Sequence, residues 1–174
     1  MTQTECDPAV TRIADGAELP APGRWQIDPG HTELAFIGRH FMLTKVRGRF
    51  TGLSGVIEVA EAPGDSTVAV TVDMTTVESG NDARDEHLRS ADFFDVAHHP
   101  TATFSARAVG WQGTRGVLAG ELTLRGVTRP VTLDVTWNKS GEYAIGDKHW
   151  ATGISARTTI KRSEWGLLWN RALE

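Results

Sequence analysis

The chain has 174 residues, which suffices for one domain with a substantial core, and 40% of them are hydrophobic while 23% are charged. These ordinary proportions exclude disordered, collagen-like and coiled-coil proteins. A net charge of −4 provides no broad basic surface, so we expect no nucleic-acid partner. The single cysteine, Cys6, allows neither an internal disulfide nor a cysteine-based metal site.

The first residues do not resemble a targeting segment. Residues 1–7 lack a basic start followed by an apolar run, and no apolar run approaches the roughly 18 residues that cross a bilayer. We therefore expect a cytoplasmic protein with no signal peptide and no transmembrane segment. Residues 1–23 are polar and end in Pro20-Ala21-Pro22-Gly23, which predicts a mobile tail ahead of a domain that spans 24–174.

After Trp25, apolar residues recur at every second position in one run after another, as is typical of half-buried β-strands. Glycine and proline separate the runs, and such short connections predict antiparallel neighbours. Strands with one apolar face must close into a barrel or stack as a sandwich. The clearest alternations are Leu34/Phe36, Val68/Val70/Val72, Ala102/Phe104/Ala106, Leu118/Gly120/Leu122, Val131/Leu133/Val135 and Ile154/Ala156/Thr158.

The segment 81–96 departs from this alternation and predicts the one convincing helix. Asn81 or Asp82 can cap its first turn, and acidic residues there suit the positive end of the helix dipole. Pro100 prevents the helix from continuing past the preceding histidine pair.

The charged residues of this segment are predicted to be structural. Neighbours in a helical sequence do not face each other, so Asp85 and His87 are poorly placed as an acid–base pair. We expect Arg84 or Asp85 to fix the helix over one end of the barrel through buried hydrogen bonds, with Phe93 and Phe94 inserted beneath it.

Six short motifs follow one another in order between about residue 25 and residue 170. They are Ile27-Asp28-Pro29-Gly30-His31-Thr32 with Phe36 and His40; Val46-Arg47-Gly48-Arg49-Phe50 with Gly55; Asn81, Arg84-Asp85-Glu86-His87-Leu88-Arg89-Ser90 and Phe93-Phe94-Asp95; Pro100 and Phe104; Gly126-Val127-Thr128-Arg129-Pro130-Val131; and Thr159-Ile160-Lys161-Arg162-Ser163 with Gly166 and Trp169-Asn170. With these motifs the sequence resembles the YceI-like family, the lipocalin-like polyisoprenoid-binding proteins.

The resemblance implies an antiparallel, lipocalin-like eight-stranded barrel with one helix across it and an apolar channel that holds an isoprenoid or similar lipid tail. It implies no metal, no other cofactor and no covalent chemistry. Two features depart from the family pattern: Trp165 stands where phenylalanine is usual, and Glu174 ends the chain before the usual last strand. Three alternatives remain for the missing last strand of the barrel. The chain is shortened, residues 1–23 take the place of that strand, or the open edge pairs with another chain in a homodimer.

The candidate channel wall consists of the inward apolar side chains. Patterning alone favours a filled core for these residues, whereas small wall residues such as Ala106 and Gly120 point toward a cavity, and the family resemblance reverses the preference in favour of the cavity. The predicted ligand-binding residues are Leu34, Phe36, Val68, Val70, Val72, Phe104, Leu118, Leu122, Val131, Leu133, Val135, Ile154, Trp165 and Trp169.

The one basic run of the chain supplies candidates for binding an anionic head group by charge-assisted hydrogen bonds, although the residues by themselves favour a solvated face. Neither His98-His99 nor His31 with Glu33 has two further ligands at a suitable spacing, so no metal site is predicted. The head-group candidates are Arg39, His40, Lys45, Arg47 and Arg49.

The sequence therefore predicts a binding protein that acts as a carrier, store or sequestering agent for a polyisoprenoid or similar long-chain amphiphile. Removal of the lipid tail from water supplies the affinity, at about 0.8 kcal/mol for each buried methylene. One alternative is an enzyme of isoprenoid or lipid metabolism that uses the same pocket. Another is a filled-core barrel that acts through protein partners.

Overall fold

The computed structural model describes residues 10–40, 44–143 and 149–169. It confirms the predicted class, a mainly β, antiparallel protein, and within the described residues there is one α-helix, α1 (Asp82–Arg89). Short 3₁₀ helices lie at Pro63–Asp65, Met74–Thr76 and Arg162–Trp165. The strands are β1 (Thr11–Ala14), β2 (Ala17–Pro20), β3 (Gly23–Gln26), β4 (Leu34–His40), β5 (Thr44–Phe50), β6 (Leu53–Val59), β7 (Thr67–Asp73), β8 (Val77–Glu78), β9 (Thr101–Gln112), β10 (Arg115–Leu124), β11 (Val127–Tyr143) and β12 (His149–Arg157).

The described strands form a curled half-barrel and not a closed barrel of eight strands. Seven strands pair in the order β12-β11-β10-β9-β7-β6-β3, and three more in the order β4-β5-β8. Within the described residues β12, β3, β4 and β8 each pair with one strand only, so the two sheets do not close into a barrel. We call the unpaired side between β4 and β12, which both line the cavity described below, the open side.

Backbone register defines the two ends of the half-barrel. Residues Thr101 of β9, Leu124 of β10 and Val127 of β11 lie at the end where α1 packs, which we call the helix end. A two-residue turn joins β10 to β11 there, and its central residues Arg125 and Gly126 have φ values of 51° and 72°. Positive φ at both positions matches the twist of a tight hairpin.

Helix α1 begins at a side-chain cap. The Asn81 side-chain oxygen accepts a hydrogen bond from the Arg84 backbone N–H at 2.9 Å. The helix ends at Arg89, seven residues before the end of the predicted segment, because both the N–H and the hydroxyl of Ser90 donate to the His87 carbonyl. The remainder of 81–96 is a series of turns that brings Phe93 and Phe94 beneath the helix.

A hydrophobic core of buried side chains lies at the helix end, and Leu19, Ala108, Val135 and Trp137 are buried outside it. Its buried members come from the helix-end halves of the strands, from α1 and from the segment after β12. The core residues are Phe50, Leu53, Val72, Met74, Val77, Leu88, Ala102, Leu124, Val131, Trp165 and Leu167. Separately, no helix in the described residues is long and apolar enough to span a membrane.

The prediction of a mobile tail over 1–23 is corrected for residues 10–23; residues 1–9 lie outside the described part of the chain. Strands β1 and β2 form a hairpin in register from Thr11 opposite Pro20 to Ala14 opposite Ala17. Asp15 and Gly16 make its two-residue turn, with φ values of 50° and 76°. Leu19 on this hairpin is 2% exposed, so the segment is packed against the domain.

Candidate functional site

The inner face of the half-barrel encloses a large, predominantly apolar cavity. Its volume is about 2280 Å³, whereas pockets for drug-sized ligands measure about 300–1,000 Å³. Strands from β3 to β12 contribute to its wall. The cavity therefore has room for a ligand well beyond the size of an ordinary metabolite.

Inward apolar side chains in the middle of the sheet are part-buried and not fully buried. Such incomplete burial of an inner face distinguishes a cavity from the filled-core alternative, in which these side chains would contact one another. The part-buried wall residues include Val68, Val70, Phe104, Leu118, Leu122 and Leu133.

The structure places every predicted channel-lining residue on the wall of this cavity except Trp165. Trp165 is 2% exposed and belongs to the core at the helix end, where its indole N–H donates to the Leu122 carbonyl at 3.2 Å. The prediction that Trp165 lines the channel is therefore corrected. The final 3₁₀ helix turns its ring into the core, behind the wall.

Large apolar side chains are exposed along the rim of the open side. Leu34 on β4 is 42% exposed, and Trp150 on β12 is 46% exposed. Ile154, Ile160 and Trp169 continue the rim, and all five line the cavity. Exposed apolar side chains gathered around one opening are typical of a binding site.

Three phenylalanine rings close the cavity at the helix end. The Phe94 ring centroid lies 5.4 Å from that of Phe50 and 6.2 Å from that of Phe36, with edge-to-face geometry in both pairs. The Phe36 and Phe50 centroids are 5.6 Å apart. Edge-to-face pairs place the positive ring edge on the negative face, so Phe94 is fixed as part of the wall.

A second aromatic group joins the helix to the end of the described chain. The Trp169 ring centroid lies 4.7 Å from the His87 ring and 5.2 Å from the Phe93 ring. His87 Nε2 lies 3.0 Å from an Asp92 carboxylate oxygen. His87 is therefore a positioning group in a structural cluster at the cavity edge.

Arg84 and Asp85 anchor the start of the helix to Ser79. The Arg84 guanidinium donates from Nε to the Ser79 hydroxyl oxygen at 2.7 Å and from Nη2 to the Ser79 carbonyl at 2.8 Å. The Ser79 hydroxyl in turn donates to the Asp85 carboxylate, and Asp85 is 6% exposed. These bonds tie α1 to the segment that follows β8.

The cations proposed to bind a head group lie on the outer face of β5. Gly48 pairs with Phe36 on the cavity side, so the alternation of side chains turns Lys45, Arg47 and Arg49 away from the cavity, which they do not line. Arg49 forms ion pairs with Glu33 and Glu78. The prediction that these three cations bind a ligand head group is therefore corrected, because their side chains do not border the cavity. The side chains of Arg39 and His40 lie outside the described residues.

The loop between β3 and β4 brings polar groups to the cavity wall. His31 Nδ1 lies 2.7 Å from one Asp28 carboxylate oxygen, and the Gly30 N–H donates to the other at 2.8 Å. These two hydrogen bonds, led by that of His31, hold the pKa of the Asp28 carboxyl below its ordinary value. Asp28 therefore stays ionised in mildly acidic solution.

The end opposite the helix is closed by residues that the sequence patterning did not single out. Arg12, Leu19 and Pro20 from the N-terminal hairpin line the cavity together with Trp25. The Trp25 indole N–H donates to the Ala21 carbonyl at 3.1 Å. The Asp15-Gly16 pair was the available signal, because Asp-Gly favours a two-residue hairpin turn.

Among the described residues, no three histidine, cysteine or acidic side chains come together in a group that could hold a metal ion.

The sequence model of the YceI-like domain matches residues 25–174. The chain belongs to the YceI-like family.

Curated relatives of this YceI-like protein include a UPF0312 protein of Staphylococcus aureus, 34% identical over 149 residues that cover 84% of each chain. A UPF0312 protein of Pectobacterium atrosepticum is 32% identical over 161 residues, 91% of this chain and 83% of that protein. Among solved structures, a Campylobacter jejuni YceI protein is similar with a TM-score of 0.63 and 29% identity, over 80% of this chain and 82% of that one.

Proposed function

We propose that this protein binds a polyisoprenoid or similar long-chain amphiphilic lipid in the cavity and acts as a carrier, store or sequestering protein. One observation carries the proposal: a cavity of about 2280 Å³ is lined by inward apolar side chains that remain part-buried. Membership of the YceI-like family supports the same ligand class.

Desolvation of the tail provides the affinity. Each methylene that leaves water for an apolar wall contributes about 0.8 kcal/mol, so a long tail binds tightly with few polar contacts. The middle of the wall supplies surfaces such as Val70, Phe104 and Leu122, which have no charge to desolvate. The binding mechanism is the removal of apolar surface from water.

The open side suits a ligand that must enter and leave. The exposed rim residues Leu34, Trp150 and Ile154 give an arriving tail apolar contacts before it is fully enclosed. A lateral opening also spares the tail from threading end-on through a closed barrel. We therefore infer reversible loading.

The polar groups near the wall favour binding over catalysis, because their hydrogen bonds hold structural elements in place. Arg84 is held by Ser79, and Asp28 and His31 hold each other. The buried carboxylate of Asp85 accepts from Ser79 and lies outside the cavity wall. These groups fix structural elements in place, so we propose no chemical step on the ligand.

Mass spectrometry of the purified protein tests the proposal. An organic extract should contain a long-chain lipid, and native spectra of the intact chain should show the same mass added in one-to-one ratio. Protein stripped of lipid should take up farnesol and geranylgeraniol. Protein that carries no lipid and takes up neither alcohol would contradict the proposed function.

A further inference from the structure

The N-terminal hairpin precedes the residues that match the YceI-like domain, which begin at 25. It is nevertheless built into the wall of the cavity. Its β2 strand carries Leu19 and Pro20, both buried and both lining the cavity. The hairpin therefore lies outside the matched residues and lines the binding site directly.

Arg12 attaches the hairpin to one wall of the half-barrel. Its guanidinium donates from Nη2 to the Ala60 carbonyl at 2.6 Å and from Nη1 to the Glu61 carbonyl. The Glu61 carboxylate lies 3.3 Å from Nη1. Ala60 directly follows β6, so this attachment lies at the end of β6 that is remote from the helix.

The other side of the hairpin packs against the opposite wall. Strand β2 contacts β11, and in the order of the sheet β11 is separated from β6 by β10, β9 and β7. The hairpin contacts both the residues that follow β6 and strand β11, and its own residues line the cavity, so it lies across the mouth between these two walls. Leu19 is 2% exposed at this crossing.

From this geometry we propose that the hairpin is a stopper, which closes the end of the cavity remote from the helix and sets the length of the tail that the cavity accepts. The inference rests on the proposed lipid binding and adds a specificity-determining residue, Leu19. The ligand part it recognises is the apolar terminus of an unbranched or isoprenoid chain, which meets the Leu19 side chain.

The stopper makes a quantitative prediction about chain length. A tail that reaches Leu19 and still has methylenes to bury must bend or leave them in water. Every methylene gained or lost at this point changes Kd about fourfold, which corresponds to about 0.8 kcal/mol. Affinity should therefore rise with chain length up to an optimum set by the position of Leu19, and then stop rising.

The experiment measures Kd for a homologous series of straight-chain fatty acids whose members differ by two methylenes, by displacement of a fluorescent fatty acid from the full chain. Leu19→Ala should move the optimum to longer members, and Leu19→Trp should move it to shorter ones. The matched control is Ile13→Ala on the same hairpin, since Ile13 is 72% exposed and does not line the cavity. Its length profile should match that of the unaltered protein.

A second variant leaves the stopper residue in place and weakens its attachment. Arg12→Gln removes donors to Ala60 and Glu61, so longer fatty acids should gain affinity relative to shorter ones, as with Leu19→Ala. Circular dichroism and thermal unfolding verify that each variant is folded. This variant keeps the proposal testable if Leu19→Trp does not fold.

The outcomes separate the stopper from the binding function. If the unaltered protein binds the series and the folded Leu19 and Arg12 variants keep its length profile, the stopper is wrong while lipid binding stands. If the unaltered protein binds no fatty acid, farnesol or geranylgeraniol, the proposed function is wrong, and the stopper with it. A shifted optimum in the predicted directions supports both.

Discussion

The ring of Phe36 on β4 lies directly over Gly48 of β5, at the position where a side chain would otherwise stand. A Cβ atom built on Gly48 would overlap the ring. The same ring contacts Phe50 and Phe94. Gly48 thus makes room for the aromatic group that closes the cavity at the helix end.

Gly48→Ala should destabilise the protein by about 1–3 kcal/mol, because the Phe36 ring must leave its place against Phe50 and Phe94. Urea unfolding followed by circular dichroism measures the change. Gly110→Ala on β9 is the matched control, since a Cβ there meets nothing within 4 Å. Equal stability of the two variants would show that the Phe36 position does not depend on Gly48.

Val70 on β7 lies opposite Phe104 on β9, and both side chains line the middle of the cavity. Val70→Trp should place an indole in the space proposed for the tail and weaken fatty-acid binding by more than about tenfold, since several methylenes lose their place. Fluorescence displacement gives the Kd.

The control for this substitution is Thr71→Trp, which adds the same ring at the next residue on the solvent-exposed face of the same strand. Its affinity should equal that of the unaltered protein. Equal affinity in the folded Val70→Trp variant would place the ligand elsewhere.

Asp85 is a buried carboxylate that accepts a hydrogen bond from Ser79, which also receives one from Arg84. Asp85→Ala should lower the free energy of unfolding by about 2 kcal/mol, because a hydrogen bond to a charged group is lost and the Ser79 hydroxyl loses its acceptor. Chemical denaturation measures this loss.

Glu86→Ala serves as the comparison, since Glu86 is exposed on the same helix. Its stability should remain within about 0.5 kcal/mol of the unaltered protein. If Asp85→Ala were as stable as Glu86→Ala, the hydrogen bonds among Asp85, Ser79 and Arg84 would not anchor the helix.

Strand alternation made the fold and most of the cavity wall predictable, because a period of two assigns each side chain to one face. The same rule explains the error over the head-group cations. Lys45, Arg47 and Arg49 are spaced two apart, and Val46 and Phe50 occupy the alternate, cavity-facing positions. Their charge suggests a head-group site, whereas the strand face to which they belong places them outside the cavity.

Two other errors have different physical origins. Pro20 and Pro22 suggested a loose tail, whereas Asp15 and Gly16 specify a hairpin whose Leu19 is buried. Trp165 lies in a 3₁₀ helix after β12, where neither the strand period nor the helix period assigns a side chain to a face. Its burial depends on tertiary packing against the helix-end core.

Arg47→Glu should leave fatty-acid affinity unchanged, because the Arg47 side chain lies on the face of β5 away from the cavity. Kd values for a fatty acid and for the alcohol of equal chain length test this together. A selective loss of fatty-acid affinity would return Arg47 to the binding site and contradict the assignment of the faces.

The Asp28–His31 pair predicts a specific pH dependence. The hydrogen bond from His31, followed by that from the Gly30 N–H, lowers the pKa of Asp28. A carboxyl whose pKa is lower in the folded state contributes stability that is fully present above its unfolded-state pKa and is lost as the pH falls through the folded value. Carbon-13 NMR titration of the carboxyl groups should therefore find the Asp28 midpoint below the ordinary aspartate range.

His31→Leu should raise the pKa of Asp28 toward its ordinary value, because the largest cause of the lowering is removed. His98→Leu is a reciprocal control, since His98 lies 2.9 Å from an Asp95 carboxylate oxygen and is the main cause of the lowered pKa of Asp95. Each substitution should move its own partner and leave the other aspartate unchanged. An Asp28 midpoint that does not respond to His31→Leu would assign the lowering to the Gly30 N–H instead.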